Sequence, residues 1–180
     1  MLKYLQVGKL APNFLTVAVF KNELGKVRLS DYRGKKYVIL IFYPANFTAI
    51  SMSELIRLNE CIREFQRLSS QLLAISIDSP FSHLQYLVQT QNQNNLISLK
   101  YPLISDLTQN IANKYRLLTN DGLCLPGAVI VDKDGIIQYY TVNNLLCGRN
   151  VSEILRILRS IQFLKENPGQ GCPAEWDVHR

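Results

Sequence analysis

Along the chain, short unbroken apolar runs alternate with stretches in which apolar residues recur every three or four positions. Residues 13–20 alternate and predict a strand, and the polar residues 22–26, with Gly25, predict the turn that ends it. Residues 37–43, Tyr-Val-Ile-Leu-Ile-Phe-Tyr, lack polar alternation, the pattern of a central strand buried on both faces. After it, Leu55, Leu58, Ile62, Phe65 and Leu68 fall at helical spacing, with Ser51 or Ser53 as the cap and Glu54 in the first turn. Residues 72–78 predict a second buried strand and 82–91 a helix with Leu84, Leu87 and Val88 facing inward, which completes a βαβ unit. A short strand at 101–104, a helix at 108–115 and a hairpin of 128–132 with 136–142 around Lys133-Asp134-Gly135 follow. A last helix at 151–164 buries Val151, Ile154, Leu155, Leu158 and Ile161 and stops at Asn167-Pro168-Gly169.

Parallel strands alternating with helices, then a hairpin and a closing helix, predict an α/β fold of thioredoxin type, a central mixed sheet flanked by helices. The length of 180 residues suits one domain, placed at 1–166 with a tail at 167–180. Hydrophobic residues at 47% and charged residues at 19% exclude a disordered chain. The longest apolar runs are far short of the ~20 residues that span a bilayer, so no membrane insertion is expected. The first residues have neither a secretory h-region nor the character of a transit peptide, so the protein is expected to stay where it is made and not to be secreted. Cys61, Cys124, Cys147 and Cys172 are too scattered for a disulfide scaffold and fit a reducing compartment. No Cys-x-x-Cys pair exists and His83 and His179 are remote from every cysteine in sequence, so neither metal nor cofactor is expected. The net charge of +6 is dispersed, a solvated basic surface and not a nucleic-acid footprint. The Asn46 and Asn150 sequons read as coincidental without a secretory signal.

A helix starting at the carboxyl end of a central strand collects functional residues, which directs attention to residues 44–54. The segment Phe-Tyr-Pro-Ala-Asn-Phe-Thr-Ala-Ile-Ser-Met-Ser-Glu, 42–54, resembles the active-site segment of the peroxiredoxins, in the typical two-cysteine alkyl hydroperoxide reductase and thiol-specific antioxidant branch. The resemblance runs from Val7 to Trp176 through Leu-Ser-Asp-Tyr-Arg-Gly-Lys, Ser-Ile-Asp-Ser-Pro-Phe-Ser-His, Gly-Arg-Asn-Val-Ser-Glu and Gly-Cys-Pro-Ala-Glu-Trp, and is most like cyanobacterial and plastid-encoded members. It implies reduction of hydrogen peroxide and organic hydroperoxides with electrons from thioredoxin. It further implies a homodimer or higher oligomer, and residence in the plastid stroma if plastid-encoded and otherwise in the cytoplasm.

The family signature is Pro-x-x-x-Thr-x-x-Cys. Pro44 and Thr48 match it, but Ser51 stands at the peroxidatic cysteine, Met52-Ser53 replace the following Pro-Thr, and Glu54 is kept. The family arginine before the penultimate strand is Pro126 here; the second arginine survives as Arg149 and the resolving cysteine as Cys172. Peroxide cleavage needs a polarisable, deprotonated nucleophile and charge that stabilises the leaving oxygen. A serine hydroxyl is a far weaker acid, has no sulfenate to form, and has no adjacent histidine base in sequence. Peroxidase turnover is therefore expected to be lost or severely impaired, and several departures at one site exceed what a single designed Cys-to-Ser change produces. The alternatives are a scaffold or chaperone-like subunit, or a resolving partner of an intact peroxiredoxin through Cys172. Cys61, ten residues or about 15 Å along the helix from Ser51, is too far to substitute. Cys124 and Cys147, near Pro126 and Arg149 in sequence, are read with Cys61 as small buried apolar residues, although either loop approaches the site. His83 is expected to cap a helix or lie on the surface, and Trp176 to pack the tail on a neighbouring subunit.

Overall fold

A computed structural model describes residues 5–92 and 98–177. Seven strands form one sheet: β1 (Leu15–Phe20), β2 (Glu23–Arg28), β3 (Tyr37–Phe42), β4 (Ser70–Ser76), β5 (Leu103–Ser105), β6 (Gly127–Val131) and β7 (Ile137–Val142). Their order across the sheet is β2-β1-β5-β4-β3-β6-β7, with β3, β4 and β5 parallel and the other pairs antiparallel. Five helices cover it: α1 (Ala49–Glu60), α2 (Ile62–Arg67), α3 (Pro80–Asn92), α4 (Asn110–Lys114) and α5 (Val151–Glu166). The sheet is mixed and helix-covered on both faces, as the apolar pattern predicts.

β3 is buried throughout, and its period of two divides the core. Ile39, Ile41 and the following Tyr43 pack with Leu55, Phe65, Leu87 and Leu155 from α1, α2, α3 and α5. Val38, Leu40 and Phe42 face the other way, onto Phe14, Ile111, Tyr115 and Cys124.

The sequence expectations are corrected in four places. Residues 22–26 are not a turn: the reversal is at Lys21 and Asn22, with φ of 52° and 63°, and Glu23 to Arg28 pair with β1 as an edge strand. Two successive positive φ values are the hairpin geometry that matches strand twist, and an almost fully exposed strand has no apolar face to announce itself. The helix after β3 starts from Thr48 and not from Ser51 or Ser53, and it breaks at Cys61, so Ile62 and Phe65 belong to a second helix. α3 is capped by Ser79, whose Oγ accepts the Ser82 amide at 3.1 Å, with Pro80 at the first helical position. Its buried face carries His83, Tyr86 and Leu87, while Leu84 and Val88 are only half-buried.

Candidate active site

The end of β3 delivers the chain through Tyr43 and Pro44 into a turn at residues 45–48, where Phe47 adopts a left-handed φ of 61°, and then into α1. Ser51 is the third residue of that helix and 2% exposed. The Thr48 hydroxyl lies 2.6 Å from Ser51 Oγ and 3.3 Å from the Ala45 carbonyl. Ser51 lines a cleft of about 350 Å³ whose other walls are Pro44, Ala49, Ile50, Leu123, Pro126 and Leu145-Leu146. Its lining is thus mostly hydrocarbon, with Ser51, Thr48 and Glu54 as the polar groups.

Glu54, one turn further along α1, faces Arg149 from the loop before α5. The two side chains are 6% and 4% exposed. Arg149 Nε donates to Glu54 Oε1 at 3.0 Å, Nη2 donates to Oε2, and the Arg149 amide also donates to Oε1. Nη1 donates to the carbonyls of Phe42, at 2.8 Å, and Gly127. The fork-on-carboxylate geometry satisfies both ions and ties α1, β3, β6 and the start of α5 together. All three guanidinium nitrogens are thus engaged by protein acceptors. Pro126, which also lines the cleft, adds neither charge nor donor.

Behind the 45–48 turn lies a buried polar network. The Asn46 amide donates to Asp78 Oδ2 at 2.8 Å, and its side-chain Nδ2 donates to Ser82 Oγ and His83 Nδ1, both at 3.1 Å. The Tyr43 hydroxyl donates to Asn46 Oδ1 at 3.0 Å, and Ser76 and Ser82 hydroxyls donate to Asp78. His83 has no exposed surface, and burial holds its ring below the usual histidine range. It is neither a cap nor a surface residue, and it is no base for Ser51, since its nitrogens face Asn46 and the Ile104 carbonyl. The sequence reading missed Asn46, Asp78 and Ser82; the Ser-Ile-Asp-Ser-Pro stretch leaving β4 was the available signal.

The remaining residues stand apart from the cleft. Cys61 and Cys124 are buried in the core, the latter with its thiol pushed up to about 12 by desolvation. Cys147 corrects its own expectation, because it is exposed and lies against Asn143. Cys172 Sγ sits 3.9 Å from the Ser160 carbonyl, half-buried on α5. The Trp176 ring lies 4.9 Å from that of Phe163 on the same helix, and Arg156 donates to the Trp176 carbonyl, so the described tail packs on α5 of its own chain. Among the described residues no group of three His, Cys, Asp or Glu side chains is placed to hold a metal ion.

Comparison with known proteins agrees with this architecture. Residues 7–140 match the AhpC/TSA family. A putative peroxiredoxin ycf42 of Trieres chinensis is 63% identical over 98% of this chain and 87% of its own length. A chloroplastic 2-cysteine peroxiredoxin of Chattonella marina is 46% identical over 96% of this chain and 88% of its own. The reduced 2-Cys peroxiredoxin of Plasmodium vivax superimposes with a TM-score of 0.92 at 40% identity, over 97% of this chain and 90% of its own. With the mixed sheet, the Pro44 and Thr48 turn and the Glu54–Arg149 pair in place, the chain belongs to the AhpC/TSA family, the peroxiredoxins.

Proposed function

We propose that this peroxiredoxin has lost, or nearly lost, peroxidase turnover of its own and persists as an oligomer-forming, non-catalytic subunit. One observation carries the reading: the atom at the head of α1, facing the cleft, is a serine oxygen hydrogen-bonded by Thr48, with Pro126 lining the same cleft. A helix N-terminus lowers the pKa of a thiol from about 8.5 toward neutrality, but it cannot bring a serine alcohol into that range. Cys61 and Cys124 do not replace the missing sulfur, because burial raises both thiols and leaves them protonated. Peroxide consumption with dithiothreitol, and separately with thioredoxin, tests this: no rate above the protein-free control is expected, and robust turnover by the unaltered chain sinks the reading.

A second role is open to the tail at 167–180. Cys172 is half-exposed and free, and a resolving thiol needs only to reach another subunit's sulfenic acid, so this chain can serve an intact peroxiredoxin in a mixed oligomer. Self-association is supported by β7, a sheet edge that carries no charged residue (Ile-Gln-Tyr-Tyr-Thr-Val) and on which Ile137 is paired with Gly8 and Lys9. Residence in the plastid stroma is supported by the chloroplastic relatives, and no helix among the described residues is long and apolar enough to cross a membrane.

A further inference from the structure

We propose that His83 and Asn46 form a proton-released latch on the turn that carries Thr48 and leads into α1. Donor and acceptor roles in this buried cluster follow from its fixed ends. His83 Nε2 lies 3.2 Å from the Ile104 carbonyl, which only accepts, so Nε2 carries the proton and Nδ1 is left as the acceptor. Asn46 Nδ2 supplies the donor to Nδ1 and spends its other hydrogen on Ser82 Oγ, whose own hydroxyl is committed to Asp78. Asn46 Oδ1 takes the Tyr43 hydroxyl, and the Asn46 backbone amide takes Asp78. The bond from Asn46 Nδ2 to Nδ1, and with it the orientation of the Asn46 amide, presupposes a neutral ring with its proton on Nε2.

A proton on Nδ1 places two donors face to face at 3.1 Å, with Asn46. Rotating the Asn46 amide gives that proton an acceptor but breaks two other bonds. It brings Oδ1 against Ser82 Oγ, which must then abandon Asp78 to donate, and it takes the acceptor away from Tyr43. His83 has no exposed surface, so no solvent is at hand to absorb the mismatch. The ionisable groups against the ring are Asp78 from the loop after β4, which favours the charged form, and Tyr43 at the end of β3, whose hydroxyl lies 3.5 Å from Nδ1; Tyr86 on α3 packs instead on Phe47. β1 contributes no ionisable side chain, and β5 presents the Ile104 carbonyl. Desolvation outweighs Asp78. The cation is therefore accommodated by letting the turn go.

That turn is gripped by α3 at three points: His83 and Ser82 hold Asn46, and Tyr86 meets the Phe47 ring edge-on at 5.2 Å. Releasing the Asn46 side chain removes two of them and leaves the turn that sets Thr48 against Ser51 held by the Asn46 amide bond to Asp78 and the Phe47–Tyr86 contact. The inference depends on this wiring alone and stands whether or not Ser51 has any chemistry.

Nitrogen-15 NMR of the full chain, in which His83 and His179 are the two histidines, reads the tautomer directly. Hydrogen exchange of the Asn46 amide between pH 7.5 and 5, corrected for intrinsic chemistry, reads the turn. Expected are a ring protonated on Nε2 at neutral pH and an opening population that rises about tenfold per pH unit below about 6.5, while β3 amides stay protected. In His83→Gln the pH dependence should vanish. A ring protonated on Nδ1 at neutral pH, a turn whose exchange ignores pH, or the same dependence in the variant each overturns the proposal. If His83→Gln does not fold, the tautomer and wild-type exchange still decide it.

Discussion

At the scale of single residues, the site is defined by what Ser51 and Pro126 lack and by what Arg149 is occupied with. Restoring the sulfur alone leaves the leaving oxygen with one arginine, itself paired to Glu54. Removing one donor from an oxyanion site typically lowers rates by about 10²–10³. Ser51→Cys should therefore stay within reach of background in a peroxide assay, and Ser51→Cys with Pro126→Arg should exceed it by about that factor. Near-complete rescue by the single change would show that Pro126 matters little. The same pair gives a stability prediction. Glu54→Ala leaves a guanidinium that is 4% exposed without its counter-charge, and breaking such a pair costs about 3–5 kcal/mol. Urea unfolding should show that loss, with a smaller one for Glu54→Gln, which keeps an acceptor; equal stability of Glu54→Ala and wild type contradicts the pairing.

At the scale of elements, close packing decides what side chains the sheet admits. Gly127 opens β6 and lends its carbonyl to Arg149, and a Cβ there would lie 2.7 and 2.8 Å from the two methyls of Leu117. Gly127→Ala should lose about 1–3 kcal/mol by overpacking, and Leu117→Ala in the same chain should return part of it. Additive losses in denaturant melts would place the two residues out of contact. None of this tightness is visible in a linear pattern, which records hydrophobicity and period but not how near two elements come. The strands β3, β4, β6 and β7 and helix α5 were legible because burial on two faces, or on one stripe, writes itself into composition. β2 was not legible: its residues are nearly all exposed, and its only local sign was the turn at Lys21-Asn22, which lacks the usual glycine. The break at Cys61 and the shift of the cap to Thr48 escaped because Leu55, Leu58, Ile62 and Phe65 keep helical spacing across it. The positions of Pro44, Thr48, Ser51, Glu54 and Arg149 were readable from the segment they resemble. Asn46 and His83 needed coordinates, because a buried polar cluster is assembled from β3, the loop after β4, and α3.

At the scale of the whole molecule, the β7 edge and the tail bear on the proposed association. If β7 pairs with its own copy across a two-fold axis, a charge placed on that edge meets its symmetry mate, and Thr141→Lys should shift sedimentation toward the monomer. An unchanged dimer would move the interface elsewhere. The tail adds a redox consequence. Ser160, which Cys172 touches, lies nine residues into α5, about 14 Å from the end of the helix next to Arg149. The thiol is therefore remote from its own cleft, and its partner, if any, belongs to another subunit. In an assembly of this chain alone the peroxidatic position is Ser51, which offers Cys172 no sulfur, so peroxide treatment should produce no intersubunit disulfide and non-reducing gels should show monomer even where native sizing shows a dimer. In a mixed oligomer with an intact peroxiredoxin, peroxide oxidises the relative's nucleophilic cysteine to a sulfenic acid. The Cys172 thiolate then attacks that sulfur, forming the S–S bond and expelling the oxygen as water. Oxidising an equimolar mixture and mapping disulfides by mass spectrometry should find Cys172 joined to the relative's nucleophile, and the link should vanish in Cys172→Ser. Proven mixed oligomers holding only like-with-like disulfides would end the resolving role and leave the non-catalytic one.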